Sequence, residues 1–252
     1  MEIRVDRRER YIAIVTIANE PRRNAMTRAM LADLAALWDR LDADEDCRVV
    51  VLTGAGDKAF SSGADLSGDL SASPEMAQII NRALLKDTPF SKPIVAAVNG
   101  DCIAGGVELL LSTDIRAAVP EARFGLPEVR WSIYPFGGAT VKLAHQIGHV
   151  HAMDLLLTGR LVDAAFAARI GLVNVVVERE ALMPWALETA AAIAANSPSA
   201  VQAVRTQIST SIADYAKSRE ALEQALGDRV RASPHFAEGI AAFREKRRPD
   251  YR

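Results

Sequence analysis

Cysteine is scarce in this 252-residue chain, with only Cys47 and Cys102 present. Two isolated cysteines, one before an apolar strand-like run and one in a glycine-rich turn, support neither a disulfide framework nor a cysteine metal site. Histidine is scarce as well, at four residues. Three of them, His145, His149 and His151, are close in sequence, but Gly148 is expected to end a helix between them. A zinc site needs ligands that converge, so these histidines read as surface or core residues. Neither sign of charge dominates: 30 Lys and Arg stand against 32 Asp and Glu, for a net charge of -2. That balance argues against nucleic acid as the main partner. No apolar run approaches the ~20 residues that span a bilayer. The opening MEIRVDRRERYIAIVTI scatters charge through its apolar residues, unlike a signal peptide. The chain is therefore expected to be cytoplasmic and reduced, with no membrane partner. No repeat of fixed period is visible.

What is present is an ordinary globular composition, half hydrophobic and a quarter charged. The length suits one large domain, or a core with a small appendage, and is enough to bury a core without covalent staples. Two local runs are basic, residues 4–10 (RVDRRER) and 244–252 (REKRRPDYR). Either these are solvated ends or one of them docks a ligand phosphate.

Residues 11–17 (YIAIVTI) are apolar and branched, which predicts a strand. After the break at PRRN, Met30, Leu31, Leu34, Leu37, Trp38 and Leu41 recur at helical spacing, with Thr27 as N-cap. RVVVLT at 48–53 reads as a buried strand, Phe60 as a second apolar point, and residues 61–74 as loop. A helix is expected from Glu75 to about Lys86, and a strand over 94–98 (IVAAV). The glycine-rich turn at 99–106 opens an apolar helix from Val107, and residues 115–119 are again strand-like. Strands alternating with helices predict an α/β arrangement. Beyond residue 139 helices dominate: 139–147, 151–157 and 163–170, each followed by a glycine (Gly148, Gly159, Gly171) where a C-terminal cap wants one. A last strand at 173–177 precedes a helical stretch broken at Pro198 and Pro234. The natural boundary falls near 196–198, dividing the chain into residues 1–195 and a helical 196–252.

The segment 54–63 (GAGDKAFSSG) has a glycine pair after a strand, but no helix begins at once, so a dinucleotide fingerprint is not met. Gly105 and Gly106 stand instead at the start of an apolar helix. A helix N-terminus exposes unpaired N–H groups, and glycine admits close approach, so a donor to an oxyanion fits there. Glu108 in the first turn is either a complement to the helix dipole or a working carboxylate. Glu128 follows a proline in an apolar turn, an unusual place for glutamate without a partner or a task. Two carboxyls brought together in an apolar site would raise one another's proton affinity and leave an acid and a base near neutral pH.

At these residues the chain resembles the crotonase, or enoyl-CoA hydratase/isomerase, superfamily. The resemblance rests on PRRNAM (21–26), AFSSGADL (59–66), the long run from Lys92 to Ala118, ARFGLPEV (122–129), the run 155–177 and HFAEGIAAFREKR (235–247). Together these cover nearly the whole chain. The resemblance implies a spiral of ββα turns as the core, then a helical C-terminal region that assembles trimers, which pair into hexamers. It implies an oxyanion hole made by the backbone N–H groups of Ala64 and Gly105. It further implies that Glu108 and Glu128 hold the water added to a trans-2-enoyl-CoA, with Glu128 the principal acid/base. Coenzyme A would lie across Arg23, Ala25 and Met26 and across Ser62, Ala64, Asp65 and Leu66. Arg23 would stand near its phosphates, as would Lys246 from a neighbouring subunit. No prosthetic group or metal is implied; the substrate arrives as a coenzyme A thioester.

The chain departs from the family pattern after Glu128. Where hydratases often carry Pro-Gly-Ala-Gly-Gly, it reads Tyr134-Pro135-Phe136-Gly137-Gly138-Ala139, so Phe136 replaces a glycine beside the expected water and acyl region. Ser61 and Ser62 replace the commoner alanine pair. A Δ3,Δ2-enoyl-CoA isomerase is the alternative on the same fold, and a non-catalytic RNA-binding scaffold a more distant one.

Overall fold

A computed structural model describes residues 1–65 and 73–252 of the chain. The order begins with strands β1 (Glu2–Glu9) and β2 (Tyr11–Ala18), a 3-10 turn at Glu20–Arg22 and helix α1 (Arg28–Ala43). Then come β3 (Cys47–Gly54), β4 (Ala59–Ser61), α2 (Pro74–Ala83), β5 (Ile94–Val98), β6 (Asp101–Ile103) and α3 (Gly105–Leu110). After these follow β7 (Ile115–Ala118), β8 (Arg123–Gly125), a 3-10 turn at Pro127–Trp131, α4 (Ala139–Ile147) and α5 (His149–Thr158). The chain ends with β9 (Val162–Asp163), α6 (Ala164–Arg169), β10 (Val175–Val176), α7 (Arg179–Ala194), α8 (Pro198–Arg231) and α9 (Pro234–Glu245).

Among the described residues the strands form two sheets, one ordered β1-β2-β3-β5-β7-β10 and one ordered β4-β6-β8-β9. From β3 onward the chain places one strand in the first sheet and the next in the second: β3 then β4, β5 then β6, β7 then β8. Each pair returns through a helix, and these strands pair parallel within their sheets, while β1–β2 and β8–β9 are antiparallel. That is a spiral of ββα turns. The inner strands β3 and β5 of the first sheet are buried on both faces, as parallel sheets require, so they read as continuous apolar runs. Buried asparagines hold the corners where a strand leaves one sheet for the other. Asn99 accepts from Gly54 N at 3.0 Å and donates to Gly56 O at 2.8 Å, and Asn24 donates to Ala59 O at 2.7 Å.

Local signals hold well where they rest on caps and periodicity. Thr27 accepts from Met30 N, capping α1, whose buried face carries the leucines and Trp38. Gly148 and Gly159 cap α4 and α5 at positive φ, and Gly171 lies just past α6. Several segments differ from expectation. The basic stretch 4–10 is largely strand, because β1 pairs antiparallel with β2 along the sheet edge and keeps Arg4 and Arg7 on solvent. The turn at 99–106 contains β6, and the turn before Glu128 contains β8; both are three residues long and carry too little periodicity to show in sequence. α3 begins at Gly105 and α5 at His149, each two residues early, while α2 stops at Ala83. Among the described residues no helix is long and apolar enough to cross a membrane.

Candidate active site

Two backbone N–H groups meet where the spiral brings the end of β4 beside the start of α3. Met26 forms an isolated parallel bridge with Ala64: Met26 N donates to Gly63 O at 2.8 Å, and Asp65 N donates to Met26 O at 2.9 Å. In a parallel bridge the middle residue turns its own N–H and C=O away from the partner strand. The Ala64 N–H therefore faces the other way, toward Gly105. A Cβ on Gly105 would lie 3.5 Å from Ala64 N, so the two N–H groups are neighbours. Gly63, at φ +90°, makes this possible, since a Cβ there would come within 2.8 Å of Gly105 N. Ala104, at φ 53° and ψ -125°, turns the chain into α3; such a conformation is strained for a residue with a side chain and recurs at functional sites. Among the described residues neither N–H has a protein acceptor. Ala64 is exposed, and Gly105 is half-buried.

Glu108 and Glu128 are both buried, at 6% and 9% exposure. Glu108 sits in the first turn of α3 and accepts from Gly137 N at 2.6 Å. Burial pushes its carboxyl up to about 7, against the pull of the Gly137 N–H. Glu128 lies in the 3-10 turn at Pro127–Trp131 and is pushed up to about 8, first by burial and then by the charge of Glu108. Its Oε2 has no hydrogen-bond partner. The structure thus brings the two carboxyls into one electrostatic unit, and their proton affinities belong to the pair. The Gly137 N–H favours the charged form of Glu108, whereas Glu128 has an oxygen with no donor, so of the two Glu128 is the more readily protonated. Helix α9 covers the turn carrying Glu128: Phe243 meets Trp131 edge-on at 5.3 Å, and Tyr251 donates to Arg130 O at 2.9 Å.

The remaining expected residues are placed unevenly. Ala25 and Met26 are buried beside the bridge. Ser62 donates through its N to Arg23 O at 3.0 Å and through its hydroxyl to Arg22 O at 3.2 Å, tying the two expected coenzyme loops together. Asp65 pairs with Arg22 at 3.3 Å. Arg23 is exposed and pairs with Asp101 at 3.2 Å, a carboxylate that Arg123 shares at 2.6 Å. Lys246 is exposed on the left-handed cap of α9, and among the described residues no contact links it to Arg23. Leu66 lies outside the described residues.

The Phe136 ring rests on α8, where a Cβ on Gly227 would come within 1.9 Å of it, and Arg231 stands 4.5 Å over its face. The shifted glycine pair that follows is what serves Glu108. Gly137 supplies the N–H, and a Cβ there would sit 2.4 Å from Glu108 Oε2. Sequence reading missed this bond, and also the buried Lys86, Lys142 and Glu223 near it. Lys142 falls on the apolar face shared by Ala139, Leu143 and Ile147, which is the signal that could have found it. A cavity of about 880 Å³ lies between α4, α7 and α8; Lys86, Ser112 and Lys142 line it, whereas neither of the two glutamates does.

Two sheets wound as a spiral of ββα turns, followed by a helical C-terminal region, define the crotonase class. The sequence profile of the enoyl-CoA hydratase/isomerase family matches residues 7–252, and the chain belongs to that family. It is 40% identical to enoyl-CoA hydratase EchA19 of Mycobacterium tuberculosis over 97% of this chain and 94% of that protein. It is 34% identical to the 2,3-dehydroadipyl-CoA hydratase of Escherichia coli, over 100% of this chain and 98% of that one. The solved structure of a carnitinyl-CoA hydratase from Mycobacterium avium superposes with a TM-score of 0.91 at 32% identity, covering 99% of this chain and 98% of its own.

Proposed function

We propose that the chain is an enoyl-CoA hydratase, adding water across the double bond of a trans-2-enoyl-CoA to give a 3-hydroxyacyl-CoA. The observation that carries this reading is the buried, coupled pair of Glu108 and Glu128, each raised toward neutral pH. Addition of water needs a base at the β-carbon side and an acid at the α-carbon. In this reading Glu108, ionised and steadied by Gly137, takes a proton from the water as it attacks the β-carbon. The electron pair moves onto the thioester oxygen, held by the Ala64 and Gly105 N–H groups. Glu128 then delivers its proton to the α-carbon as the enolate collapses. Fixed donors aimed at that developing charge need no reorganisation, and each is worth about 10²–10³ in rate.

Coenzyme A would cross Arg23, Ala25 and Met26 and the loop from Ser62 to Leu66, with Lys246 supplied by a neighbouring subunit. Residues 1–195 would be the acyl-CoA core and 196–252 the assembly region of a trimer or hexamer in the cytoplasm. The exposed apolar residues of α8, among them Val204, Ile208 and Tyr215, support a role in assembly.

The test is loss of the conjugated thioester absorbance when crotonyl-CoA is added. Glu128→Gln should lower turnover by about 10²–10⁴-fold, the range of a lost general acid, while coenzyme A binding survives. Full activity in that variant would remove Glu128 from the role of acid. The isomerase alternative needs one base, so it predicts that Glu108→Gln is tolerated, whereas hydration does not tolerate it.

A further inference from the structure

A buried ion cluster joins helix α8 to the loop that holds Glu108. Lys86 is 2% exposed, and its Nζ pairs with Glu220 at 2.7 Å and with Glu223. The two glutamates are three residues apart on α8 and share a face. Lysine is almost never fully enclosed unless it is paired. Burial pulls Lys86 down, but the two carboxylates more than offset that and leave it raised. Glu223 is itself buried, and its Oε1 has no hydrogen-bond partner.

Three consecutive residues then connect this cluster to Glu108. Phe136 seats on Gly227 and Arg231 of α8. Gly137 donates to Glu108 at 2.6 Å. Gly138, at φ +90°, rests on two buried lysines: a Cβ there would lie 3.2 Å from Lys86 Cγ and 3.7 Å from Lys142 Cε. Lys142 Nζ in turn donates to Leu85 O at 2.6 Å and to Ser112 Oγ at 2.8 Å, which anchors the chain just before Lys86.

We propose that Lys86 and Glu223 are positioning residues for Glu108: their ion pair ties α8 to the Phe136–Gly137–Gly138 loop, keeps the Gly137 N–H on the carboxylate, and balances the charge that the carboxylate faces. The proposal rests on the reading of Glu108 as a working carboxylate. Charged and titratable groups reach the Glu108 region from every packed element. Glu128 comes from the 3-10 turn, Lys86 and Asp87 from the segment after α2, Arg116 from β7, Lys142 from α4, Tyr134 from the loop, and Arg219, Glu220 and Glu223 from α8. Glu223 raises the proton affinity of Glu108 and Lys86 lowers it. Removing one or the other therefore moves Glu108 in opposite directions, which loss of packing alone would not do.

The experiment uses the full-length enzyme with Glu223→Gln, Lys86→Met and the double variant. Titration of the Glu108 carboxyl is followed by difference infrared spectroscopy, the band assigned by its loss in Glu108→Gln. The pH profile of crotonyl-CoA hydration is measured in parallel. Glu223→Gln should lower the Glu108 titration by on the order of one pH unit, Lys86→Met should raise it, and the double variant should fall between. The acid limb of kcat should move with it, and KM should stay within about three-fold of the parent if coenzyme contacts are untouched. Single variants that leave the titration in place, or move it the same way, overturn the proposal. If Lys86→Met does not fold, a downward shift in Glu223→Gln is required, and its absence overturns the proposal. Absence of turnover in the parent enzyme sinks the hydration reading instead, while the infrared titration still decides whether Lys86 and Glu223 set the charge state of Glu108.

Discussion

The Ala64 and Gly105 N–H groups are held by main-chain bonds among segments that each carry a readable motif, whereas Glu108 and Glu128 depend on partners from distant parts of the chain. On the N–H side, Met26, Gly63 and Asp65 form one bridge and Ala104 one turn. On the carboxyl side, Gly137 lies 29 residues beyond Glu108, and α9 arrives still later to cover the turn of Glu128. The first side is rigid because the backbone permits little else. The second is tunable, since each carboxyl answers to whatever charge and donor the fold brings against it. A family that keeps one framework while its members act on different acyl-CoA esters can vary the second side without touching the first.

The sharpest way to break that contrast is Gly63→Ala. Its backbone sits at φ +90°, and the new Cβ would meet Gly105 N at 2.8 Å. The two N–H groups must then separate, and kcat should fall by about 10²–10³-fold, the worth of one donor. Binding of coenzyme A itself should change little. A variant with unaltered kcat would mean that the two N–H groups do not act together.

On the carboxyl side the matching change is Gly137→Ala. The added methyl would lie 2.4 Å from Glu108 Oε2, so either the loop or the carboxylate moves and the 2.6 Å bond is lost. A misplacement of about an ångström can cost about 10²-fold, and the loss should be smaller than for Gly63→Ala because the loop can yield. Titration of Glu108 should move upward as its donor leaves, measurable from the pH profile. No movement would detach Gly137 from the control of Glu108.

Stability should also separate the two sides. Glu128 has a folded-state value of about 8, above the ordinary carboxyl value. The folded state therefore binds this proton more tightly than the unfolded chain, and the benefit is complete below the unfolded value. It is lost as pH rises toward about 8, by at most roughly 1.4 kcal/mol per pH unit. Glu128→Gln has no charge to bury, so its melting temperature should gain on the parent by several degrees between pH 5 and pH 8. Gly63→Ala should show no such dependence. A constant difference across that range would place Glu128 in a wetter setting than its burial indicates.

How much of this was legible follows from the same division. The strand of YIAIVTI, the Thr27 cap and the glycine caps after α4 and α5 are local devices, and the chain spells them out. The spiral itself appeared through family resemblance, because β6 and β8 are too short for period-two patterning to register. Glu108 and Glu128 could be named from their motifs, but nothing local to Glu108 tells that Gly137, 29 residues on, holds it, and nothing local to Glu128 tells that one of its oxygens is unpartnered. Phe136 looked like an intrusion beside the water site. Only its seat on Gly227, some ninety residues on, turns it into an anchor for the α8 side of the loop.

The smallest effect belongs to Arg23, and it tests whether the rigid side extends to the coenzyme. Its side chain is 58% exposed and shares Asp101 with Arg123. Exposed pairs of this kind are worth about 0–1 kcal/mol and are screened by salt. Arg23→Ala should therefore raise KM for an acyl-CoA roughly two- to five-fold at low ionic strength and hardly at all at high salt, with kcat unchanged. The loop should survive, because Ser62 N binds the Arg23 carbonyl rather than its side chain, and Asp101 keeps Arg123. A fall in kcat with KM unaltered would reverse that assignment: the side chain would then be bracing the Ala64 bridge, and the rigid side would depend on a surface ion pair after all.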